Sequence, residues 1–295
     1  MTKMKRSYNI ILIFVGLVAF IIKGISQIPL TNSLPKSVYI VGERTTGTGF
    51  YYLFDTTLYL VTAAHVLYKT NGNIITNELN TLSIELLSYD NELVETRATK
   101  IGIAFDKNTE IYKHPSKDVC IISICNLVGN VKDRLVLIPK RNVTPLSGNR
   151  NIGGFDSKSS LHIKDLIPNQ DIVIIGYPTS LDQSRFGRTV YDFKFPLVQS
   201  GIISGISELL GNIIISGAAF AGNSGGAVMA KKISRSGIET LDLIGLLTEY
   251  IPNFIEFYIP NKKESKIDTV FSLSNSGYSV VVPIKFVDEL ILSKK

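Results

Sequence analysis

Tryptophan is absent from this 295-residue chain, cysteine occurs twice, histidine and methionine three times each, and only 19% of the residues are charged. Three histidines and two cysteines leave little from which to build a metal cage, and neither cysteine stands at ligand spacing from a histidine. No metal or other cofactor is therefore expected. Cys120 and Cys125 share one apolar stretch that reads as a strand. At about 3.3 Å per residue their Cα atoms would lie about 16 Å apart, far beyond the ~7 Å reach of a disulfide. Alternation puts their side chains on opposite faces, as two small apolar core residues. Blocks of like charge are also missing: the net charge is +6, but the basic residues are scattered singly or in pairs, which argues against a nucleic-acid surface. A 45% hydrophobic content excludes a disordered chain, and the length allows one or two lobes with a sizeable core.

The one long apolar run stands at the N-terminus. Lys3, Lys5 and Arg6 precede an unbroken stretch over 10–22, and Gly24-Ile25-Ser26 then offers small residues where signal peptidase would cut before Gln27. The run is shorter than the roughly 18–20 residues of a spanning helix. Residues 1–26 are read as a signal peptide, with an uncleaved membrane anchor through residues 10–22 as the alternative. Either way the remainder is expected outside the cytoplasm, periplasmic or secreted.

The body reads as all-β. Short runs rich in Val, Ile, Tyr and Phe recur at 37–41, 49–54, 58–62, 81–87, 92–99 and 119–127, bounded by Gly, Thr and Asp. A looser stretch over 139–170 follows, and a second series occupies 172–175, 189–195, 199–206, 213–216, 227–230, 241–247 and 278–283. A short closing helix is expected over 286–292, where Phe286, Val287, Leu290 and Ile291 recur at helical spacing. Many short strands without helical crossovers predict sandwiches or barrels. The expected organisation is an N-terminal lobe over 37–138, a linker over 139–170 and a C-terminal lobe with its helix over 171–292.

Three segments carry chemistry. In Gly222-Asn223-Ser224-Gly225-Gly226 the glycines permit a tight turn that exposes a serine hydroxyl beside backbone N–H donors, as a nucleophile with an oxyanion site requires. In Val61-Thr62-Ala63-Ala64-His65 an apolar strand runs through two alanines into a histidine, which suits a general base. In Asp118-Val119-Cys120-Ile121-Ile122 an aspartate opens an apolar strand, where it can accept the histidine's Nδ1–H and fix its tautomer. Chain order sorts the serine-hydrolase types. An α/β-hydrolase needs its histidine after the serine, yet His65, His114 and His162 all precede Ser224. The subtilisin order would need Asp55, which sits in a hairpin turn. His65, Asp118, Ser224 is the chymotrypsin order. His114 and His162 stand in polar stretches and are expected on the surface or in loops.

These residues resemble the histidine, aspartate and serine motifs of trypsin/chymotrypsin-like serine peptidases, and the spacings of 53 and 106 residues suit that family. Thr48-Gly49-Phe50, Gly176-Tyr177-Pro178, Gln199-Ser200-Gly201 and Ile244-Gly245-Leu246 resemble its bacterial, HtrA-type branch. The resemblance spans about 37–292. It implies two antiparallel six-stranded β-barrels with the triad between them, and an oxyanion hole from the Gly222 and Ser224 N–H groups. It also places Ala218 at the base of the substrate pocket, with Thr248, Glu249 and Tyr250 on its wall. An uncharged base and a bulky wall predict small or medium apolar side chains before the cleaved bond. Asn223 stands where pancreatic enzymes carry an aspartate that pairs with a new N-terminus, so activation by that route is not expected. With 45 residues after Tyr250, regulation through a PDZ-like domain is not expected. Protein or peptide substrates are the expected partners. The alternative is a catalytically silent fold of this type used as a peptide-binding or sensing module.

Overall fold

The computed structural model describes residues 30, 32–69, 73–74, 82–89, 99–105, 109–131, 134–140, 142–147, 153–179, 195–217, 219–233, 237–261 and 266–294. The segment over 1–26, the strand expected at 189–195 apart from its last residue, the one at 92–99 apart from Thr99, and Ala218 lie outside the described residues.

The N-terminal part forms one sheet from β1 (Ser37–Gly42), β2 (Thr46–Phe54), β3 (Thr57–Thr62), β4 (Leu82–Ser88), β5 (Thr99–Phe105), β6 (Ile111–Lys113), β7 (Cys120–Val131), β8 (Arg134–Pro139), β9 (Val143–Ser147) and β10 (Phe155–Asp156). Its path is β6-β7-β3-β2-β1-β4-β5-β9, with β8 on β7 and β10 parallel to β2. A one-turn helix, α1 (Ala64–Leu67), follows β3. The C-terminal part is a closed barrel of β11 (Asp171–Gly176), β12 (Leu197–Ser207), β13 (Asn212–Ser216), β16 (Lys266–Pro283), β15 (Glu239–Asn261) and β14 (Ala227–Ile233), in that spatial order. Helix α2 (Lys285–Leu292) closes the chain.

The all-β, two-lobed chymotrypsin-like architecture is thus present. Its C-terminal lobe is the six-stranded barrel the sequence implied. The N-terminal lobe is a half-barrel, a curled sheet whose pairing does not close among the described residues. The stretch over 139–170 carries β9 and β10, which bond to β5 and β2 of the first sheet.

Packing explains why so many strands read as continuous apolar runs. One core lies inside the first lobe, with Tyr51, Leu60, Ile84, Ile103 and Ile122. Another lies inside the barrel, with Ile172, Ile174, Ile203, Ile215 and Val281. Between them is a third, where Phe50, Tyr52, Val61 and Ile121 of the first sheet meet Val173, Ile175, Met229 and Leu246 of the barrel. Strands β2, β3, β7, β11, β14 and β15 therefore bury both faces, as strands do when covered on two sides. Helix α2 seals the same central layer with Val287, Leu290 and Ile291.

Two expectations change. Cys120 and Cys125 face the same core, because a bulge opposite Leu58 and Tyr59 shifts the alternation of β7 between them. Strands β15 and β16 run well past 241–247 and 278–283: their mutual register continues to Asn261 opposite Lys266, although β14 and β13 pair with them only near the barrel. The outer part is a two-stranded ribbon with Phe254, Tyr258, Phe271 and Leu273 largely exposed.

Candidate active site

Strand β3 ends at Thr62, and extended Ala63 leads into α1. Both Ala63 and Ala64 are buried in the first core, so only small side chains fit beneath the turn, and His65 is presented outward, about half exposed (52%). Its ring Nδ1 lies 2.6 Å from Asp118 Oδ2, and its backbone N–H donates to Asp118 Oδ1 at 2.9 Å. The carboxylate thus grips both the ring and the main chain of one residue, which fixes the Nδ1–H tautomer and leaves Nε2 as the free acceptor.

Asp118 lies near the end of the connection between β6 and β7, one residue before fully buried Val119. Burial pushes its carboxyl up, but the bonds from the His65 ring, the His65 charge and the backbone N–H groups of His65 and Ala64 outweigh this and hold it below the usual carboxylate range. The hydrogen bond to Asp118 raises His65 above the ordinary histidine value against the effect of burial, and the charges of Asp118 and Glu249 add to it. The signs follow by linkage. The raised His65 contributes stability below about pH 6.5 and loses it as pH rises through the folded value. Asp118, lowered, contributes above the ordinary carboxylate range and loses it as pH falls.

Ser224 sits on a turn between Gly222 (φ 96°) and Gly225 (φ 88°). A Cβ at Gly225 would lie 2.0 Å from the Thr48 carbonyl oxygen, and one at Gly222 would lie 2.4 Å from the Thr179 nitrogen, so both positions require glycine. Gly225 packs against Thr62 and Ala63, which brings the serine turn beside the segment that presents His65. Within the turn the Asn223 N–H donates to Phe220 O, and the Gly225 N–H to Leu247 O. Among the described residues nothing accepts from the Gly222 or Ser224 N–H. The hydroxyl of Ser224 donates to the Thr248 carbonyl at 3.2 Å and is not hydrogen-bonded to His65. The structure therefore brings His65 and Asp118 into contact, and places Ser224 on the adjoining turn with its hydroxyl turned to β15.

Thr48 is a site residue that the sequence marked only as part of Thr48-Gly49-Phe50. Its hydroxyl donates to Gly222 O at 2.6 Å and accepts from the Tyr177 N–H at 2.8 Å. Its own N–H donates to Ser224 O at 3.0 Å, and its carbonyl accepts from the Thr62 hydroxyl at 2.7 Å. One buried side chain of the first lobe thus fastens the serine turn and the Gly176-Tyr177-Pro178 segment of the second. Asn223 is buried beside Gly176, and its Oδ1 has no hydrogen-bond partner among the described residues.

On β15, Thr248 turns inward and its hydroxyl donates to Val280 O at 3.3 Å, whereas Glu249 and Tyr250 are exposed at the edge. Of the two remaining histidines, His162 is exposed before a short 3-10 turn. His114 is not a surface residue: it is buried, because the loop folds around its ring and α2 covers it. Groups of three or more metal-ligating side chains are absent among the described residues.

The chain belongs to the trypsin-like peptidase family, whose domain matches residues 47–234. It has the fold on which serine proteases of that family are built. Among solved structures it is similar to the HtrA-type protease AlgW with a tripeptide, at 17% identity and a TM-score of 0.48, covering 90% of this chain and 62% of that one. It is also similar to Deg5 (20% identity, TM-score 0.42, 77% of this chain and 85% of that) and to Rv3671c from M. tuberculosis in an inactive form (14%, 0.41, 91% of each). The chain thus spans less than two thirds of the length of the AlgW chain. No curated protein sequence matches it.

Two outcomes test the local physics. In Asp118→Asn the hydrogen bond that raises His65 is weakened and the charge lost, so the His65 titration midpoint, followed by NMR, is expected to fall below that of the wild type. Thr48→Val keeps volume but strands the part-buried Gly222 carbonyl and the buried Tyr177 N–H; urea unfolding is expected to show a loss of about 1–3 kcal/mol.

Proposed function

We propose that this protein is a serine endopeptidase that cleaves peptide bonds through an acyl-enzyme, with Ser224 as nucleophile, His65 as general base and Asp118 as its orienting partner. The observation that carries this reading is the twofold grip of Asp118 on His65, at 2.6 and 2.9 Å, beside a serine on a turn with two N–H groups that meet no acceptor among the described residues. Catalysis needs the hydroxyl to leave the Thr248 carbonyl and turn to His65 Nε2; hydrogen bonds of this kind are often open in an unliganded site. A substrate N–H that occupies the Thr248 carbonyl would release it.

Ser224 Oγ then attacks the carbonyl carbon and its proton passes to Nε2. The resulting oxyanion is held by the Gly222 and Ser224 N–H groups. Collapse breaks the C–N bond, and His65 returns the proton to the leaving amine. Water, deprotonated by His65, repeats the sequence on the ester and frees the acid. The exposed Tyr250 at the edge of β15 and the uncharged Ala218 support a preference for small or medium apolar side chains before the cleaved bond. The basic n-region and the apolar run over 10–22 support an exported enzyme. The hydroxyl's engagement with Thr248 favours a second reading, a silent peptide-binding module.

The deciding experiment is labelling of the protein with a fluorophosphonate probe. Wild type is expected to label, Ser224→Ala and His65→Ala to remain unlabelled, and Asp118→Asn to label about 10⁴-fold more slowly. The wild-type rate should rise with pH, with a midpoint above the ordinary histidine value of about 6.5, because only neutral His65 accepts the proton. Folded wild type that does not label would favour the binding module. On peptide substrates, Ala or Val before the scissile bond is expected to outperform Arg; the reverse order would sink the pocket assignment.

A further inference from the structure

The connection between β6 and β7 is six residues of loop folded around one side chain. His114 continues the ladder, its N–H donating to Val119 O at 2.9 Å. Its ring Nδ1 then accepts from two backbone donors of the same loop, Ser116 N–H at 3.2 Å and Lys117 N–H at 3.1 Å. Two donors converging on Nδ1 require that nitrogen to be unprotonated, so the ring proton lies on Nε2. That edge faces Glu289 of α2, at 4.0 Å, and the ring meets Phe286 of α2 edge-on with centroids 5.4 Å apart. Lys117 extends the clamp: its ammonium bonds to Leu210 O and to Asn212 Oδ1 of the barrel and lies over the Phe286 ring. The next residue is Asp118.

We propose that His114 is a positioning residue for the site. As a neutral ring it holds the turn that aims Asp118 at His65, and it ties that turn to the C-terminal helix. This rests on reading Asp118 as the partner of a catalytic His65.

The chemistry of the ring makes the device sensitive to acid. Protonation turns Nδ1 from an acceptor into a donor and sets three N–H groups against one another. Burial, the largest influence, lowers the His114 value below the ordinary one; Glu289 opposes this and Lys117 reinforces it. Lys285, stacked on Phe286 from α2, adds positive charge to the same corner. A histidine lowered by folding contributes stability that is full above about pH 6.5 and is lost as pH falls through the folded value. The proposed clamp therefore opens on the acid side, where His65 is already charged.

Two substitutions separate acceptor from packing. His114→Asn keeps an acceptor oxygen at the position of Nδ1 but loses the ring and cannot be protonated in this range. His114→Phe keeps a ring against Phe286 but strands the Ser116 and Lys117 N–H groups. The readout is the downfield proton resonance of His65 Nδ1–H in the full-length protein, which reports the His65–Asp118 bond whether or not the enzyme turns over. The resonance is expected to survive in His114→Asn and to persist to lower pH than in wild type. In His114→Phe it is expected to broaden or vanish, with fluorophosphonate labelling slowed about tenfold or more, as for a misplaced catalytic group. An unchanged resonance in folded His114→Phe overturns the proposal. If His114→Phe does not fold, His114→Asn decides alone: loss of the resonance, or an acid limit identical to wild type, overturns it. Wild type with an intact resonance but no labelling would count against the peptidase reading and leave the positioning test in force.

Discussion

The apolar layer between the lobes is the contact on which the rest of the molecule depends. Strands β2, β3 and β7 present their second faces to β11, β14 and β15, and α2 closes the layer from the end of the chain. Each residue of the candidate site is attached to that layer by a neighbour. His65 follows β3, Asp118 immediately precedes buried Val119, which leads into β7, and Ser224 precedes buried Ala227 of β14. Without the layer the lobes would carry these groups apart, since no single lobe contains all three.

Polar contacts then set the geometry that apolar packing leaves free. Thr48 reaches across the junction to hold the carbonyl of Gly222, and so the orientation of the peptide groups around Ser224. His114 closes the Asp118 turn from within, and Lys117 ties it to the barrel. Buried hydrogen bonds of this kind add little net stability, but leaving one partner unmatched is costly, which restricts the alternatives open to the loops. The bond between Ser224 and the Thr248 carbonyl is different in kind. It can exchange for another by rotation of one side chain, and it sets the resting position of the hydroxyl.

The strands with two buried faces were the most legible part of the sequence, because unbroken Val, Ile, Leu and Ala runs have no other stable use in a chain of this composition. The ribbon of β15 and β16 was less so. Beyond Tyr250 its strands contain Pro252, Pro260, Asn253 and several serines, and its large side chains Phe254, Tyr258, Phe271 and Leu273 are exposed, so neither alternation nor apolar runs marked it. His114 stands in a loop as expected, but its burial was not legible for a similar reason: its neighbours Lys113, Pro115, Ser116 and Lys117 are polar, and α2, more than 170 residues later, covers its ring. The two cysteines were placed on opposite faces by counting, and a bulge in β7, invisible in the residue types, put them on one.

By itself the sequence determined the class of fold, the order of the histidine, aspartate and serine segments, and the glycines that only a sharp turn at Ser224 can use. These are local properties: periodicity, residue size and backbone freedom act within a few residues. The tertiary structure alone decided which groups meet. It brought Asp118 to His65 across 53 residues, Thr48 to Gly222 across 174, and the Ser224 hydroxyl to Thr248 instead of His65. Contacts of that range are set by how two sheets and a helix stack, and chain spacing carries no record of it.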